Sequence, residues 1–334
     1  MTTSQSQLSF IDLFCGCGGF SLGMERAGFR CLAAIDFNPH AITVFKQNFP
    51  HVPQVLERDL TKFPPEQLAK LLDAKTVDVI VGGPPCQGFS RVRRVDGSNN
   101  GDRLVNDDRR FLYQDFLYYV EFFQPRVFVM ENVPGIRTAV NGAFFSLVQR
   151  DARTMGYRVH AQQENAWELG VPQKRVRQLI IGTRLDLPEY FLPVLNPAPR
   201  ASANPRLWQV IGDLPPLKAG AGEESCDYDM ERRRAHLEQF GRRFIYEVLE
   251  VQRARKLTAH RARPHSDRDL RDFLRLKEGQ SSADAMRQGV QFEFPYKKTH
   301  FKDRYTRQSR WEACSTIVAH ICKEIGRASC RERV

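Results

Sequence analysis

The sequence lacks the long hydrophobic segments that membrane and secreted proteins carry. No apolar run among its 334 residues approaches the roughly 18 residues that are needed to span a bilayer. The polar start, residues 1–7, contains neither a basic segment nor an apolar one, so we predict no signal peptide. We therefore expect a cytoplasmic protein without a membrane partner.

Cysteine is sparse, and its distribution argues against two kinds of site. The 8 cysteines are spread over the whole chain, whereas a disulfide scaffold concentrates them in a short one. Cys15 and Cys17 are closer together than the cysteines of a zinc knuckle, and the sequence has no second pair of cysteines to complete a zinc site. We therefore predict no metal site.

Acidic residues are outnumbered by basic ones. The chain has 50 Lys and Arg against 39 Asp and Glu, a formal net charge of +11. This excess favours a polyanionic partner, because each cation placed on a phosphate releases a condensed counterion. Many basic proteins never bind nucleic acid, so the charge alone leaves the question open.

The length of 334 residues is typical of about two domains.

Short apolar strands alternate with helical segments over the first 185 residues. Strands are predicted at residues 8–14, 31–36, 77–81, 126–130 and 178–182. Helices are predicted between them at residues 19–27, 39–48, 65–73, 108–122 and 143–155. Near-continuous apolar strands that alternate with helices indicate a parallel sheet covered on both faces. We therefore predict a doubly wound α/β domain over residues 1–185.

The pattern changes after residue 185. Prolines punctuate residues 187–199, which is typical of a linker, and a second, smaller domain is predicted over residues 186–322. Its arginine clusters fit either a solvated helical face or a nucleic-acid surface, and they lie at residues 231–234, 242–243, 253–256 and 261–263. Residues 323–334 have no apolar periodicity and are interpreted as a non-native tail.

A glycine-rich turn follows the first predicted strand. Gly16, Gly18 and Gly19 allow positive φ and close approach of a ligand at the edge where open α/β sheets bind ligands. The second strand ends in Asp36, which could hold ribose hydroxyls, and Asp59 follows the next unit. The third glycine of a dinucleotide fingerprint is absent, which favours S-adenosyl-methionine over a nicotinamide cofactor. A tight turn without a ligand is the alternative.

The motif Gly-Gly-Pro-Pro-Cys-Gln at residues 82–87 is the most specific in the chain. A buried strand ends in two glycines and then two prolines, which stiffen the backbone beyond the sheet edge. Cys86 follows immediately. A rigid loop at the ligand edge is an unusual place for a structural cysteine, so this placement favours a nucleophile.

Two further polar motifs accompany the predicted strands. The strand at residues 126–130 delivers Glu131 to the same edge, where it could instead cap a helix. Gln173, Arg175 and Arg177 are predicted to alternate onto one face at the start of the next apolar strand, where the arginines could instead guard a sheet edge. On one parallel sheet, these groups would converge near Cys86.

Together these motifs resemble those of the DNA (cytosine-5) methyltransferases. The matching stretches, in the order and approximate spacing of that family, are residues 10–19, Asp36, 82–90, 131–133 and 173–177. The resemblance implies a Rossmann-like domain that binds S-adenosyl-methionine, with no metal, through Phe14, Gly16, Gly18, Gly19, Asp36, Asp59 and Pro85. It also implies that residues 186–322 recognise the target in double-stranded DNA.

The resemblance implies a covalent mechanism in which Cys86 is the nucleophile. C5 of cytosine is a poor nucleophile, so addition of the thiolate to C6 is needed to make C5 able to accept a methyl group. Glu131, protonated at that moment, would hydrogen-bond N3 and the exocyclic amine. Arg175 would steady the base or Glu131, and Arg177 would support the same network. Because a duplex hides C6, the cytosine must be flipped out.

The biological setting implied by the resemblance is a bacterial or phage restriction-modification system. We expect a monomer, with any cognate restriction endonuclease acting separately. One alternative is RNA cytosine-5 methylation by the same Cys86 chemistry. Another is a catalytically impaired DNA-binding protein, because nothing after Cys322 resembles the return segment of the family and the chain is predicted to be truncated.

Overall fold

The structure is a computed structural model, and it describes residues 7–73, 76–85, 111–186, 205–249, 255–294 and 305–316. The chain divides into two compact units. The first unit comprises Met1–Glu164 and Val176–Leu192, and the second comprises Asn165–Arg175 and Pro193–Val334. The domain boundary at residue 185 and the role of the second domain stay predictions.

A seven-stranded sheet forms the centre of the first unit. Its strands are β1 (Ser9–Leu13), β2 (Arg30–Asp36), β3 (Gln54–Glu57), β4 (Val79–Gly82), β5 (Val127–Asn132), β6 (Arg158–Asn165) and β8 (Val176–Thr183), whereas β7 (Gln173–Lys174) belongs to the second unit. The order across the sheet is β3-β2-β1-β4-β5-β8-β6. The neighbouring strands from β3 across to β5 are parallel to one another.

Helices cover both faces of this sheet. They are α1 (Gly19–Arg26), α2 (Pro39–Asn48), α3 (Pro65–Leu72), α4 (Leu112–Phe123) and α5 (Ala143–Thr154). Strand β1 shows how the faces are shared: Ile11 and Leu13 join one buried apolar cluster, whereas Phe10 joins another. The predicted doubly wound, Rossmann-like α/β fold is therefore confirmed.

The two strands of this sheet that the sequence analysis did not identify, β3 and β6, are its edges. Neither contains a buried residue: β3 is half-buried to exposed, and β6 is mostly half-buried. An edge strand has a neighbour on one side only, so it does not need the continuous apolar run that marks a central strand. Hydrophobic pattern alone therefore missed both.

Strand β8 runs antiparallel to β5, so the prediction of an entirely parallel sheet is wrong at this strand. The register places Glu131 opposite Leu179 and Asn132 opposite Gln178. A buried strand has the same apolar pattern when it is read in either direction, and the sequence analysis therefore found β8 without its orientation. The orientation matters because it places the beginning of β8 beside the end of β5.

The second unit contains short elements. The parallel pair is β7 with β11 (Cys314–Ser315), and the antiparallel pair is β9 (Gly222–Asp227) with β10 (Lys256–Arg261). Its helices are α6 (Leu207–Ile211), α7 (Met230–Phe240), α8 (Asp267–Leu274) and α9 (Ser282–Arg287). An apolar cluster around Phe273, Phe294 and Tyr305 packs against α8 and α9. No helix in the described ranges is long and apolar enough to cross a membrane.

The arginine cluster at residues 231–234 does not behave as one surface. Arg233 is only 2% exposed; its Nε lies 3.8 Å from Asp213 Oδ2, and its guanidinium lies 4.4 Å from the centre of the Tyr228 ring. Arg232 lies over the ring of Trp208 and donates to the Gly212 carbonyl. Arg233 is therefore part of the interior of the second unit, neither a solvated residue nor a phosphate ligand.

Candidate active site

The glycine turn begins where β1 ends, and its backbone is left-handed at several positions. Phe14, Gly16 and Gly18 have φ values of +58°, +55° and +95°. A Cβ atom on Gly18 would lie 2.2 Å from Phe49 Cε2, so packing and backbone both require glycine there. At Gly16 a Cβ would meet no atom within 4 Å, so the backbone faces open space. This turn can therefore accept a ligand close to the main chain.

Asp36 ties the end of β2 to the glycine turn. Its Oδ2 accepts a hydrogen bond from the Gly16 amide, and its Oδ1 accepts one from the Asn38 amide, both at 2.9 Å. A carboxylate has about four lone-pair sites, so it retains acceptor capacity for a ligand hydroxyl. The carboxylate is only half-buried and therefore accessible. Asp36 both shapes the turn and can bind a ligand.

Asp59 follows β3 at the same edge of the sheet. Because β3 runs parallel to β2 with Glu57 opposite Asp36, the residues after both strands lie at one edge. Asp59 is exposed, and its Oδ1 accepts bonds from the amide and the hydroxyl of Thr61. Phe37, which the sequence analysis missed, is 65% exposed directly after Asp36. The sequence supplies the Asp36-Phe37 pair at the end of a predicted strand, but only the structure shows that the phenylalanine is exposed.

The loop after β4 is held from two sides. A Cβ on Gly82 would lie 2.4 Å from the Leu13 carbonyl oxygen, so glycine allows β1 and β4 to approach there. The Nδ2 of buried Asn132 donates to the Pro84 carbonyl at 3.4 Å. Pro85 is half-buried and is the last residue described before Cys86, which lies outside the described residues. The structure therefore defines the base of the Pro-Pro-Cys loop.

Glu131 and Arg177 form an ion pair at the ends of their strands. The Arg177 Nε lies 2.7 Å from Glu131 Oε1, and both side chains are partly buried. The other carboxylate oxygen, Oε2, would lie 3.2 Å from a Cβ on Gly83, which places Glu131 directly beside the loop that leads to Cys86. A short, charge-assisted contact of this kind fixes the position of the carboxylate more firmly than a neutral hydrogen bond would.

Arg175 does not share a strand with Arg177. The prediction that Gln173, Arg175 and Arg177 alternate along one strand is wrong, because Gln173 lies in β7 of the second unit and Arg177 lies in β8 of the first. The Arg175 amide donates to the Gln173 carbonyl at 2.9 Å, a tight turn that separates the two strands. Arg175 is half-buried at the end of the segment Asn165–Arg175.

Asp12 is a second residue that sequence reasoning missed. It lies in β1 with no exposed surface, and its Oδ2 accepts a hydrogen bond from the Ser21 hydroxyl at 2.7 Å. Burial raises the pKa of Asp12 to about 7. Its position inside an apolar strand gave no sign of a polar role.

Within the described ranges, no three His, Cys, Asp or Glu side chains converge as metal ligands would.

Comparison with known proteins gives a consistent result. The family model described as C-5 cytosine-specific DNA methylase matches residues 8–324. The type II methyltransferase M1.HphI of Haemophilus parahaemolyticus is 38% identical over 213 residues, which cover 64% of this chain and 54% of that protein. The type II methyltransferase M.DdeI of Desulfomicrobium norvegicum is 35% identical over 281 residues, covering 82% and 62% respectively.

The chain spans about half the length of the curated relatives it matches. Among solved structures, a DNA modification methyltransferase encoded within a prophage of E. coli has a similar fold, with a TM-score of 0.66 and 24% sequence identity. The similarity covers 94% of this chain and 83% of that one. At that identity, the likeness concerns the fold alone.

Proposed function

Because the chain belongs to the C-5 cytosine-specific DNA methylase family, we propose that it transfers a methyl group from S-adenosyl-methionine to C5 of cytosine in double-stranded DNA. The observation that carries the proposal is the Glu131–Arg177 ion pair, which stands beside Gly83 at the base of the Pro-Pro-Cys loop. A carboxyl group at that place can hydrogen-bond the ring edge of a cytosine presented to Cys86.

The glycine turn and its neighbours fit S-adenosyl-methionine. The open backbone at Gly16 can accept the cofactor closely, and Gly18 and Gly19 lead directly into α1. Asp36 and Asp59 can accept hydrogen bonds from hydroxyl and amine groups, while the rings of Phe14 and Phe37 offer flat apolar surfaces to an adenine. Pro85 would close the side nearest the reacting groups. When bound, the cofactor supplies an electrophilic methyl group on a sulfonium.

The residues of the chain would make C5 reactive. The Cys86 thiolate forms a bond to C6, which pushes electron density to C5. Glu131, protonated at this step, donates a hydrogen bond to N3 and accepts one from the exocyclic amine, which stabilises the adduct. C5 then takes the methyl group. Loss of the C5 proton and cleavage of the bond between sulfur and C6 restore the ring and the free thiolate. Arg177 holds Glu131, and Arg175 would contact the base or Glu131.

The substrate must leave the duplex for this reaction, because C6 is inaccessible in a stacked base. We assign target recognition in double-stranded DNA to residues 186–322. The names of the relatives, type II methyltransferases, support a restriction-modification role in the bacterial cytoplasm. In such a role the chain acts as a monomer, and any endonuclease acts separately.

Covalent trapping tests the proposal. Purified protein is mixed with S-adenosyl-methionine and a pool of random-sequence duplex DNA that contains 5-fluorocytosine, whose fluorine blocks release of the adduct. We expect a protein–DNA adduct with the wild type and with Cys31→Ala, a buried control cysteine at the start of β2, at the other end of that strand from Asp36. Cys86→Ala should form none.

The other outcomes distinguish the alternatives. An adduct that persists in Cys86→Ala would refute the assignment of the nucleophile. DNA binding without any adduct would indicate a catalytically impaired DNA-binding protein. An adduct with fluorinated tRNA and none with DNA would move the substrate from DNA to RNA.

A further inference from the structure

Asp12 occupies an unusual position for a carboxyl group. It lies in the central strand β1, has no exposed surface, and is two residues before the left-handed Phe14. Its Oδ2 is bonded to the Ser21 hydroxyl, whereas its Oδ1 is buried and has no hydrogen-bond partner within the described ranges. A buried polar oxygen without a partner costs free energy, so its retention here calls for a reason.

The contact of Asp12 with Ser21 joins strand β1 to the first turn of α1. Helix α1 begins at Gly19, and the preceding Gly18 has no side chain that could accept from the free amides of the first turn. Ser21 is the third residue of the helix, and its hydroxyl donates to the Asp12 carboxyl group at 2.7 Å. Asp12 therefore anchors the start of α1 to β1. The glycine turn is held between Asp12 on one side and Ser21 on the other.

The groups around Asp12 decide its charge. Burial raises its pKa to about 7; the bonds from Ser21 oppose this, and the nearby Asp36 carboxylate adds to it. The other titratable groups close to it are the thiols of Cys15 and Cys31, whose own pKa values are raised by burial, so they stay neutral near pH 7. The apolar cluster on the Phe10 face of β1 includes Val79 and Val81 of β4 and Ile42 and Phe45 of α2.

We propose that Asp12 is a positioning residue for the glycine turn, and that its loss of a proton is linked to binding of the cationic S-adenosyl-methionine there; this rests on the proposed function. A carboxylate accepts from the Ser21 hydroxyl more strongly than a neutral acid does, because the bond is charge-assisted, and it also suits the positive N-terminus of α1. A sulfonium brought to the carboxyl end of β1 favours that charged form. By reciprocity, the charged form favours the sulfonium.

The linkage is measured by titrating the protein with S-adenosyl-methionine and with S-adenosyl-homocysteine from pH 6 to pH 8. S-adenosyl-homocysteine lacks the sulfonium charge but has the same amino and carboxyl groups. The titration of these ligand groups therefore cancels in the ratio of the two affinities. We expect the affinity for S-adenosyl-methionine, relative to that for S-adenosyl-homocysteine, to be severalfold higher at pH 8 than at pH 6. Linkage to one proton limits this change to about tenfold per pH unit. In Asp12→Asn the ratio should not change with pH.

Asp78→Asn is the matched control. Asp78 also accepts bonds from a serine, through the amide and hydroxyl of Ser9, but it lies before β4 at the opposite edge of the sheet. This variant should keep the pH dependence of the wild type. Calorimetry of the wild type at pH 7 in two buffers gives a second readout that needs no variant: more protons should be released on binding S-adenosyl-methionine than on binding S-adenosyl-homocysteine.

The outcomes separate this inference from the proposed function. Equal pH dependence in the wild type and Asp12→Asn, or equal proton release with the two ligands, overturns the role of Asp12 and leaves the cofactor site in place. Failure of the wild type to bind either ligand at every pH overturns both. Should Asp12→Asn not fold, Ser21→Ala replaces it. Loss of the hydroxyl bond should move the pH transition upward, and an unmoved transition contradicts the proposal.

Discussion

Arg177 Nε lies 2.7 Å from Glu131 Oε1 because β8 enters the sheet antiparallel to β5. A parallel β8 would begin at the opposite edge, and its first residues would be a full strand length from the end of β5. The orientation of one strand therefore brings together two side chains that are 46 positions apart in the sequence. Both then stand beside the Pro-Pro-Cys loop.

Truncation of Arg177 should slow adduct formation with little effect on folding. Arg177→Ala removes the guanidinium that holds Glu131, and we expect a rate about a hundredfold lower, comparable to loss of one preorganised contact in an active site. Arg177→Lys should be intermediate, because an ammonium keeps the charge without the planar fork. Rapid-quench trapping with 5-fluorocytosine DNA gives the rates. Arg158→Ala, which removes an exposed arginine from β6, should match the wild type; if Arg177→Ala also does, the positioning role is refuted.

Gly18→Ala should destabilise the first unit, whereas Gly23→Ala should not. At Gly18 the new methyl group would collide with Phe49 and the backbone has φ +95°, so we expect a loss of about 3 kcal/mol from overpacking and backbone strain. At Gly23, inside α1, a Cβ meets nothing within 4 Å, and alanine should stabilise by about 1 kcal/mol through helix propensity. Urea denaturation measures both. Similar effects at the two positions would contradict the packing argument.

Burial of Asp12 should make the protein less stable as the pH rises from about 4 to about 7. The pKa of about 7 in the folded state lies above 3.8, the ordinary value of an aspartate. Across this window the unfolded chain is therefore ionised while the folded chain keeps its proton, and the free energy of unfolding falls as the pH rises. Three pKa units correspond to about 4 kcal/mol, and the loss should be complete above pH 7.

Urea denaturation between pH 5 and pH 8 checks this prediction. Asp12→Asn has no titrating group at this position, so its stability should fall less over the same range. Parallel pH profiles for the wild type and the variant would show that Asp12 does not titrate in this window.

Breaking the buried ion pair of Arg233 and Asp213 should destabilise the protein strongly, whereas replacing both residues with apolar ones should change its stability little. Burial raises the pKa of Asp213, and Arg233 opposes that shift. Arg233→Met leaves the carboxylate without its counter-charge, and we expect a loss of about 3–5 kcal/mol. Adding Asp213→Leu should recover most of it, since a well-packed apolar pair can replace a buried ion pair. Chemical denaturation measures the two variants; Arg243→Ala, an exposed control, should show no measurable change.

Local signals in the sequence were sufficient for most elements of the first unit. Helix α2 begins and ends as predicted, at Pro39 and Asn48, because Asn38 accepts from the first-turn amides and proline suits the first helical position. The predicted start of α4, at residue 108, lies outside the described residues. The apolar pattern did not predict the edge strands β3 and β6, because an edge strand needs no continuous apolar run.

By itself, the sequence determined the doubly wound fold, the glycine turn, Asp36, and the motifs around Cys86 and Glu131, because each depends on residues close together in the chain. Only the tertiary structure decided that Arg177 reaches Glu131, since the apolar pattern of β8 does not encode a direction. It also decided that Arg175 and Arg177 belong to different units and that Asp12 accepts a hydrogen bond from Ser21 of α1. Contacts between distant segments depend on strand order and orientation, and these follow from the packing of the whole chain.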